Sequence, residues 1–254
     1  MKRLSFRVTL LIIFPLILSC SREAVKEQAP PRDQYGEALK LYEDGKYFKA
    51  QTQLQRIIYS YPGQTFIDTA QYYLSMSLYN MENYPEAVGE FRKLLAAYPA
   101  SPFADDAQFR LGMCHFEQSP KYSRDQDETH RAIDEFTEFL NRYPQSPLAE
   151  EAREKLELMY DKLAKKMFKN GELYLKLNDY EPALLYFDMV RDNYPQTEWA
   201  QYALFYSGKA QMKLGHKSDA LTTFQDFVAA FPDHKLAKKA RENIEKLTRD
   251  EGGG

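Results

Sequence analysis

Apolar residues recur along the chain at a fixed helical spacing. The segments "AQTQLQRIIYSYP" from Ala50, "AVGEFRKLLAAYP" from Ala87, "AIDEFTEFLNRYP" from Ala132, "ALLYFDMVRDNYP" from Ala183 and "ALTTFQDFVAAFP" from Ala220 each place a proline twelve residues after the alanine. Four residues after the alanine stands Leu54, Phe91, Phe136, Phe187 or Phe224. Just before the proline stands Tyr61, Tyr98, Tyr143, Tyr194 or Phe231. Positions 0, 4, 7 and 11 lie on one face of a 3.6-residue helix, so each segment is predicted to be a helix with one apolar stripe. Proline cannot donate to the helix ladder and marks the stop. A turn precedes each of four of these helices, in "DGKYFKA", "MENYPEA", "LNDYEPA" and "LGHKSDA". Upstream of the turn a partner helix carries a small residue twelve positions before the alanine: Ala38, Ser75, Gly171 and Gly208. Gly112 takes that role in the third copy after allowing for eight extra residues. The small residue lets the neighbouring helix come close, and the aromatic fills the space beside it.

Start signals accompany the upstream helices. Ser101-Pro102 and Ser146-Pro147 pair an N-cap serine with proline at the first helical position, and Thr65 and Thr197 are further candidate caps. A last helix from Asp233 to about Arg249, with Leu236, Ala240, Ile244 and Leu247 on one face, would cover the open end of the array. The prolines stand at 62, 99, 144, 195 and 232, so two of the spacings are long. The eight extra residues fall in "FEQSPKYSRDQDETH", which is polar and reads as a longer loop. Fourteen more fall between Pro144 and Gly171 in a segment without breakers. This predicts one long helix over about 147–177, roughly 45 Å at 1.5 Å per residue, joining the first three copies to the last two. Fourteen residues is close to four turns, so the extension roughly keeps its facing.

The small–Ala–Pro spacing resembles the tetratricopeptide repeat, with its A-x-x-x-F core, from residue 33 to about 247. The fold class this implies is all-α: a right-handed superhelical array of five tetratricopeptide-like hairpins plus a C-terminal capping helix. The expected division is 1–19 as a signal peptide, 20–32 as a lipidated cysteine and linker, 33–145 as repeats one to three, and 146–254 as the long helix, repeats four and five and the cap.

The first twenty residues bear on location. Lys2, Arg3 and Arg7 are followed by Val8 to Leu18, apolar apart from Thr9. That run is too short to span a bilayer, which takes about 20 residues, and fits the apolar region of a secretory signal. Ile17-Leu18-Ser19-Cys20 resembles the lipobox of bacterial lipoproteins, although Leu18 stands where a smaller residue is usual. In that family the cysteine thiol takes a diacylglycerol, the chain is cut before it, and the new amine is acylated. The alternative is an ordinary secretory signal cut nearby. Each buried CH₂ of an acyl chain contributes about 0.8 kcal/mol, so three chains would anchor the protein almost permanently. Ser21 follows the cysteine. An Asp there holds enterobacterial lipoproteins in the inner membrane, so the resemblance implies the outer membrane.

Charge and composition exclude other classes. The chain has 34 Lys and Arg, three of them before Cys20, and 37 Asp and Glu, giving a net −6 from Cys20 onward. A general nucleic-acid binder would want a basic face. With Cys20 acylated, Cys114 is the one remaining thiol and reads as a small buried hydrophobe; no internal disulfide is possible. The histidines at 115, 130, 216 and 234 lack metal-ligand spacing, and there is no Gly-rich phosphate loop and no G-x-S-x-G. The expectation is therefore a protein without metal, cofactor or catalytic centre.

"QSPKYSRDQDET" followed by "AIDEFTEFLNRYPQSPLAEEAREKL" resembles the central region of the BamD family, lipoproteins of the outer-membrane β-barrel assembly machine. The resemblance spans nearly the whole chain. It implies a scaffold at the periplasmic face of the outer membrane. The first three repeats would receive unfolded outer-membrane protein precursors by their C-terminal signal, and the last two would dock the POTRA region of a BamA-like barrel protein. Residues three before, one after and four after each small residue share a helical face. They are Tyr35, Leu39 and Tyr42; Tyr72, Met76 and Tyr79; and Phe109, Met113 and Phe116. This ladder is read either as a groove for precursor tails or as packing between helices. In the last two copies the face turns charged, with Glu172 and Lys209. Lys162, Lys165, Lys166 and Lys169 on the long helix, with Lys209 and Lys213, are read as partner-docking residues or as a solvated face. Lys235, Lys238, Lys239 and Arg241 on the last helix carry the same two readings. A periplasmic adaptor of the Tol-associated coordinator family is the alternative function; those usually carry an N-terminal coiled coil and no lipobox. An enzyme or sugar-capture lipoprotein with helical repeats is a third reading.

Overall fold

The structure, a computed structural model, describes residues 29–251. Among these, eleven α-helices run in hairpins: α1 Pro31–Glu43 with α2 Tyr47–Ser60, α3 Ile67–Asn80 with α4 Tyr84–Ala97, α5 Ala104–Gln118 with α6 Asp127–Arg142, α7 Ala149–Lys176 with α8 Tyr180–Asn193, and α9 Glu198–Leu214 with α10 Lys217–Ala230. Helix α11, Ala237–Glu251, closes the array. Each helix packs on its neighbours in the chain. First helices also meet one another, α1 on α3, α5 on α7 and α7 on α9. The described residues thus form an all-α array of five tetratricopeptide hairpins with a capping helix.

The apolar stripe is the core. Ala50, Ala87, Ala132, Ala183 and Ala220 are fully buried, as are Leu54, Phe91, Phe136, Phe187 and Phe224 one turn later. Ile57, Leu94, Phe139, Val190 and Phe227 complete the set three residues further on. The small residue of the first helix meets the aromatic of the second. A Cβ on Gly112 would lie 2.8 Å from Phe136, one on Gly208 2.9 Å from Phe224, and one on Gly171 2.7 Å from Phe187 and 3.2 Å from the Ala183 carbonyl.

Helix ends follow local chemistry. Each second helix stops two residues before its proline, with Tyr61, Tyr98, Tyr143, Tyr194 or Phe231 as the C-cap. These caps have φ from −127° to −136° and ψ from 49° to 62°. Proline clashes with a helical residue before it, so the cap leaves the α region. Between the helices of four hairpins one residue is left-handed: Gly45, Glu82, Asn178 or Gly215. The third hairpin uses the predicted longer loop instead, residues 119–126. Buried Gln126 organises it, its amide nitrogen lying 3.0 Å from the carbonyl oxygens of Lys121, Arg124 and Asp125. Thr129 Oγ1 donates to Gln126 Oε1 at 2.8 Å.

The predicted long helix is α7, 28 residues and about 42 Å long, within two residues of the expected span at each end. Three other expectations are corrected. Ser101 and Ser146 do not cap α5 and α7. Each opens a turn ahead of the helix, its carbonyl accepting the N–H of Ala104 or Ala149 at 3.0 Å. Their hydroxyls accept the N–H of Phe103 and of Leu148 at 3.3 Å and donate at 2.8 Å to Asp68 and to Asp105 of the preceding repeat. Thr65 lies outside α3, whose N-cap is Phe66, and Thr197, the N-cap of α9, donates to the Tyr194 carbonyl at 2.9 Å instead of capping. The closing helix likewise begins at Ala237, after a turn from Asp233.

Two glycines separate close packing from helix propensity. Gly171→Ala should lower unfolding free energy by about 1–3 kcal/mol through overpacking. Gly36→Ala, on α1 with nothing within 4 Å of the added carbon, should raise it by about 0.5–1 kcal/mol. Urea unfolding followed by circular dichroism reads both.

Candidate partner-binding surfaces

The nine-residue ladder of the first three repeats divides in two. Tyr72, Met76, Phe109 and Met113 are buried, whereas Tyr35, Leu39, Tyr42, Tyr79 and Phe116 are half-buried. The cause is a seam between repeats. Tyr35 stacks on Phe66 with centroids 4.6 Å apart, and Tyr72 stacks on Phe103 at 4.5 Å. Phe109 meets Phe139 edge-on at 5.7 Å and shares a cluster with Leu148. In the last two repeats Phe168 contacts Trp199 at 5.3 Å, and Phe205 shares a cluster with Leu236. Phe66, Phe103, Leu148, Trp199 and Leu236 each stand four residues after a repeat proline. That register was readable in the sequence and is the signal the ladder reading missed. Tyr72, Met76, Phe109 and Met113 therefore pack the array.

The rim residues keep a polar edge. Tyr42 accepts a hydrogen bond from Asn80 at 3.0 Å. Arg110, paired with Asp106 at 3.1 Å, lies 5.8 Å over the Tyr79 ring, and Lys155 lies 5.0 Å over Phe116. Burial pushes the Tyr35 hydroxyl up to about 12 and raises those of Tyr42 and Tyr79. The rim tyrosines thus stay neutral over physiological pH, with Arg110 and Lys155 as cations beside them.

The long-helix lysines are engaged within the molecule. Lys162 donates to Ser119 Oγ at 2.7 Å and to the Ser119 carbonyl at 3.5 Å, and burial lowers its pKa. Lys166 donates to the Arg124 carbonyl at 2.8 Å. Lys165 lies between two rings, 5.0 Å from Tyr122 and 5.4 Å from Trp199. Lys169 pairs with Glu172 at 2.9 Å and lies 6.0 Å from Trp199. These four clasp the third-repeat loop, α7 and α9 together, which a reading of the run as one solvated face did not anticipate. Lys209 lies 5.1 Å over Tyr206, and Lys213 is exposed. On the last helix and its lead-in turn, Lys235 lies 4.5 Å over Tyr202 and 3.7 Å from Glu198, while Lys238, Lys239 and Arg241 are exposed.

Two clefts border α7. One, of about 550 Å³, is lined by Glu154, Glu157, Leu158 and Asp161 and by Gln196, Thr197 and Glu198. The other, of about 310 Å³, is lined by Glu172, Leu175 and Lys176, by Asn178 and Tyr180, and by Tyr206, Lys209 and Lys213. Among the described residues no cluster of His, Cys, Asp and Glu is placed to hold a metal ion, and no helix is long and apolar enough to cross a membrane. Buried His115 meets Glu128 at 2.7 Å.

Comparison with known proteins agrees with this architecture. Residues 27–220 match the YfiO family, described as outer membrane lipoprotein. The chain belongs to the YfiO family of outer membrane lipoproteins. This membership supports an envelope location and protein partners for the YfiO-family chain. No curated protein matches the sequence. Among solved structures, the TPR2AB domain of yeast Sti1, in a pHSP90 complex, is similar at 12% identity, covering 86% of this chain and 98% of that one with a TM-score of 0.40. A tetratricopeptide repeat protein of Parabacteroides merdae is similar at 12% identity, covering 86% and 73% with a TM-score of 0.38. A thermophilic tetratricopeptide protein of Thermus thermophilus is similar at 14% identity, covering 86% and 99% with a TM-score of 0.37. Cys20, the expected lipidation site, and the signal segment lie outside the described residues.

Burial pushes the Cys114 thiol up to about 12, whereas an unfolded thiol titrates near about 8.5. Above that pH the unfolded chain sheds a proton the folded chain keeps, so stability falls as pH rises from about 8.5 towards 12. Iodoacetamide at pH 8 should leave Cys114 unmodified until the protein unfolds, read by peptide mass spectrometry. Cys114→Ala should flatten the alkaline loss of stability between about pH 9 and 11, read by urea titrations.

Proposed function

We propose that the chain is a non-catalytic, lipid-anchored scaffold of outer-membrane protein assembly, held through Cys20 at the periplasmic face of the outer membrane. Repeats one to three receive unfolded precursors along the half-buried rim of Tyr35, Leu39, Tyr42, Tyr79 and Phe116. Repeats four and five dock the POTRA region of a BamA-like barrel protein, with Lys209 and Lys213 facing that partner. The family match over residues 27–220 carries the reading. The two halves of the array support it, because the ladder positions of their first helices differ: Tyr, Leu, Met and Phe in repeats one to three, with Glu172 and Lys209 entering in repeats four and five. Unfolded precursors would order on binding, and that cost keeps each capture weak and reversible.

Purification from detergent-solubilised membranes should bring down a barrel protein bearing POTRA domains. Photocrosslinkers placed at residues 160–250 should join to those domains in intact cells, and repeated absence of both would overturn the docking role. Cys20→Ser should move the protein from the membrane to the soluble envelope fraction, and retention in the membrane would remove the anchor.

A further inference from the structure

Helix α7 presents opposite charges at two points on one face. Glu154, Glu157 and Leu158 line the acidic cleft, and Glu172, Leu175 and Lys176 line the basic one. Each member of the second set follows its counterpart by 18 residues, which is five full turns. The two clefts therefore open on the same side of the helix, about 27 Å apart.

The poles are only partly neutralised, by Lys235 on Glu198 at one and by Glu172 on Lys176 at the other. No cation lies within ion-pair distance of Glu154, Glu157 or Asp161 among the described residues, and Glu198 meets Lys235 only at 3.7 Å. At the other pole Glu172 is already shared by Lys169 and Lys176, at 2.9 and 3.5 Å, which holds its carboxyl below the usual range. Among the described residues Lys209 and Lys213 meet no carboxylate within ion-pair distance. Across about 27 Å the poles do not screen each other's charge, since the Debye length at physiological salt is about 8 Å. The acidic cleft is lined by one sign of charge, which focuses its field, and the basic cleft holds three lysines against one carboxylate.

Between the poles the surface is a strip of aromatic rings, each with a lysine ammonium near one face: Lys165 and Lys169 by Trp199, Lys235 by Tyr202 and Lys209 by Tyr206. Trp199, Tyr202 and Tyr206 follow one face of α9, each in contact with Phe168 of α7 and each half-buried. Leu158, 54% exposed, adds an apolar contact at the acidic end. A strand advances about 3.3 Å per residue, so some eight extended residues span the poles.

We infer that the α7–α9 face binds an extended segment of a partner protein, about eight residues between its charged ends, basic at one end and acidic at the other. The acidic cleft takes the basic end, Lys176, Lys209 and Lys213 take the acidic end, and the aromatic strip carries the middle. The two poles fix which way the segment lies. This deepens the docking role proposed for repeats four and five.

The probe is a fluorescein-labelled peptide with two lysines, eight neutral residues and two glutamates, titrated by anisotropy against the purified chain from residue 21. Peptides with either charged end replaced by serine are the comparison. The full peptide should bind about tenfold more tightly than either truncated charge pattern, with affinity falling as salt rises. Glu154→Lys with Glu157→Lys, and separately Lys209→Glu with Lys213→Glu, should each weaken it about tenfold. Glu154, Glu157 and Lys213 are exposed and Lys209 is half-buried, so unchanged circular dichroism checks the fold. Each reversal should leave untouched the peptide lacking the corresponding end. Absence of binding overturns the inference, as does equal binding of a one-signed peptide or indifference to either reversal. The assay contains no barrel protein. If the peptide binds but no barrel protein co-purifies, the inference stands without the assembly role; if a barrel protein co-purifies and the peptide fails, the inference alone is lost.

Discussion

The array depends on one contact: a small residue on the first helix of a hairpin against a large apolar side chain on the second, a phenylalanine in four hairpins and Leu54 in the first. Where glycine faces phenylalanine, the ring occupies the space a Cβ would take. This approach lets the alanine row be buried from both sides and places the next residues of the stripe at zero exposure. A hairpin alone leaves the other side of its first helix bare. The next repeat covers that side through an aromatic or leucine four residues past the proline, which is why such units are stable only in series.

Helix α7 interrupts that regularity and makes the two halves different. Its extra length carries it past the third-repeat loop on one side and the start of α9 on the other. Lysine is the residue that bridges these surfaces. Its apolar stem packs along the helix while the ammonium reaches carbonyls of the loop or the faces of Tyr122 and Trp199. Lys165, with a ring on each side, ties the third repeat to the fifth. Charge on this stretch thus holds the joint, and the charge left over lies at its two ends.

The fold was readable because its determinants are local and repeated. The alanine, the aromatic one turn later and the proline recur at fixed offsets, and the longer loop and long helix followed from the departures. Surfaces were less legible because an amphipathic pattern marks an apolar face without naming its neighbour. Tyr72 and Tyr79 lie on one face of α3, yet Phe103 covers the first, and the second stays half open beside Arg110. The lysine run looked like a solvated face because the groups that engage it, Ser119, Tyr122, Arg124 and Trp199, are tens of residues away in sequence. Ser101 and Ser146 misled for a nearer reason. Serine–proline is an N-cap signature, but here the hydroxyl belongs to a turn that also grips the previous repeat.

Repeat packing also limits what recognition is left to do. The largest rings are spent between helices, so the exposed first-helix surfaces hold few fully apolar pockets and many aromatic edges and charges. Such surfaces lack the desolvated anchors that dominate tight interfaces. Rim charges act more on encounter rate and register than on residence, and an extended segment loses conformational freedom as it docks. A face of this kind holds a segment briefly and in a defined orientation. For the assembly scaffold proposed above, which would pass on what it receives, weak binding with a fixed direction is the more useful property.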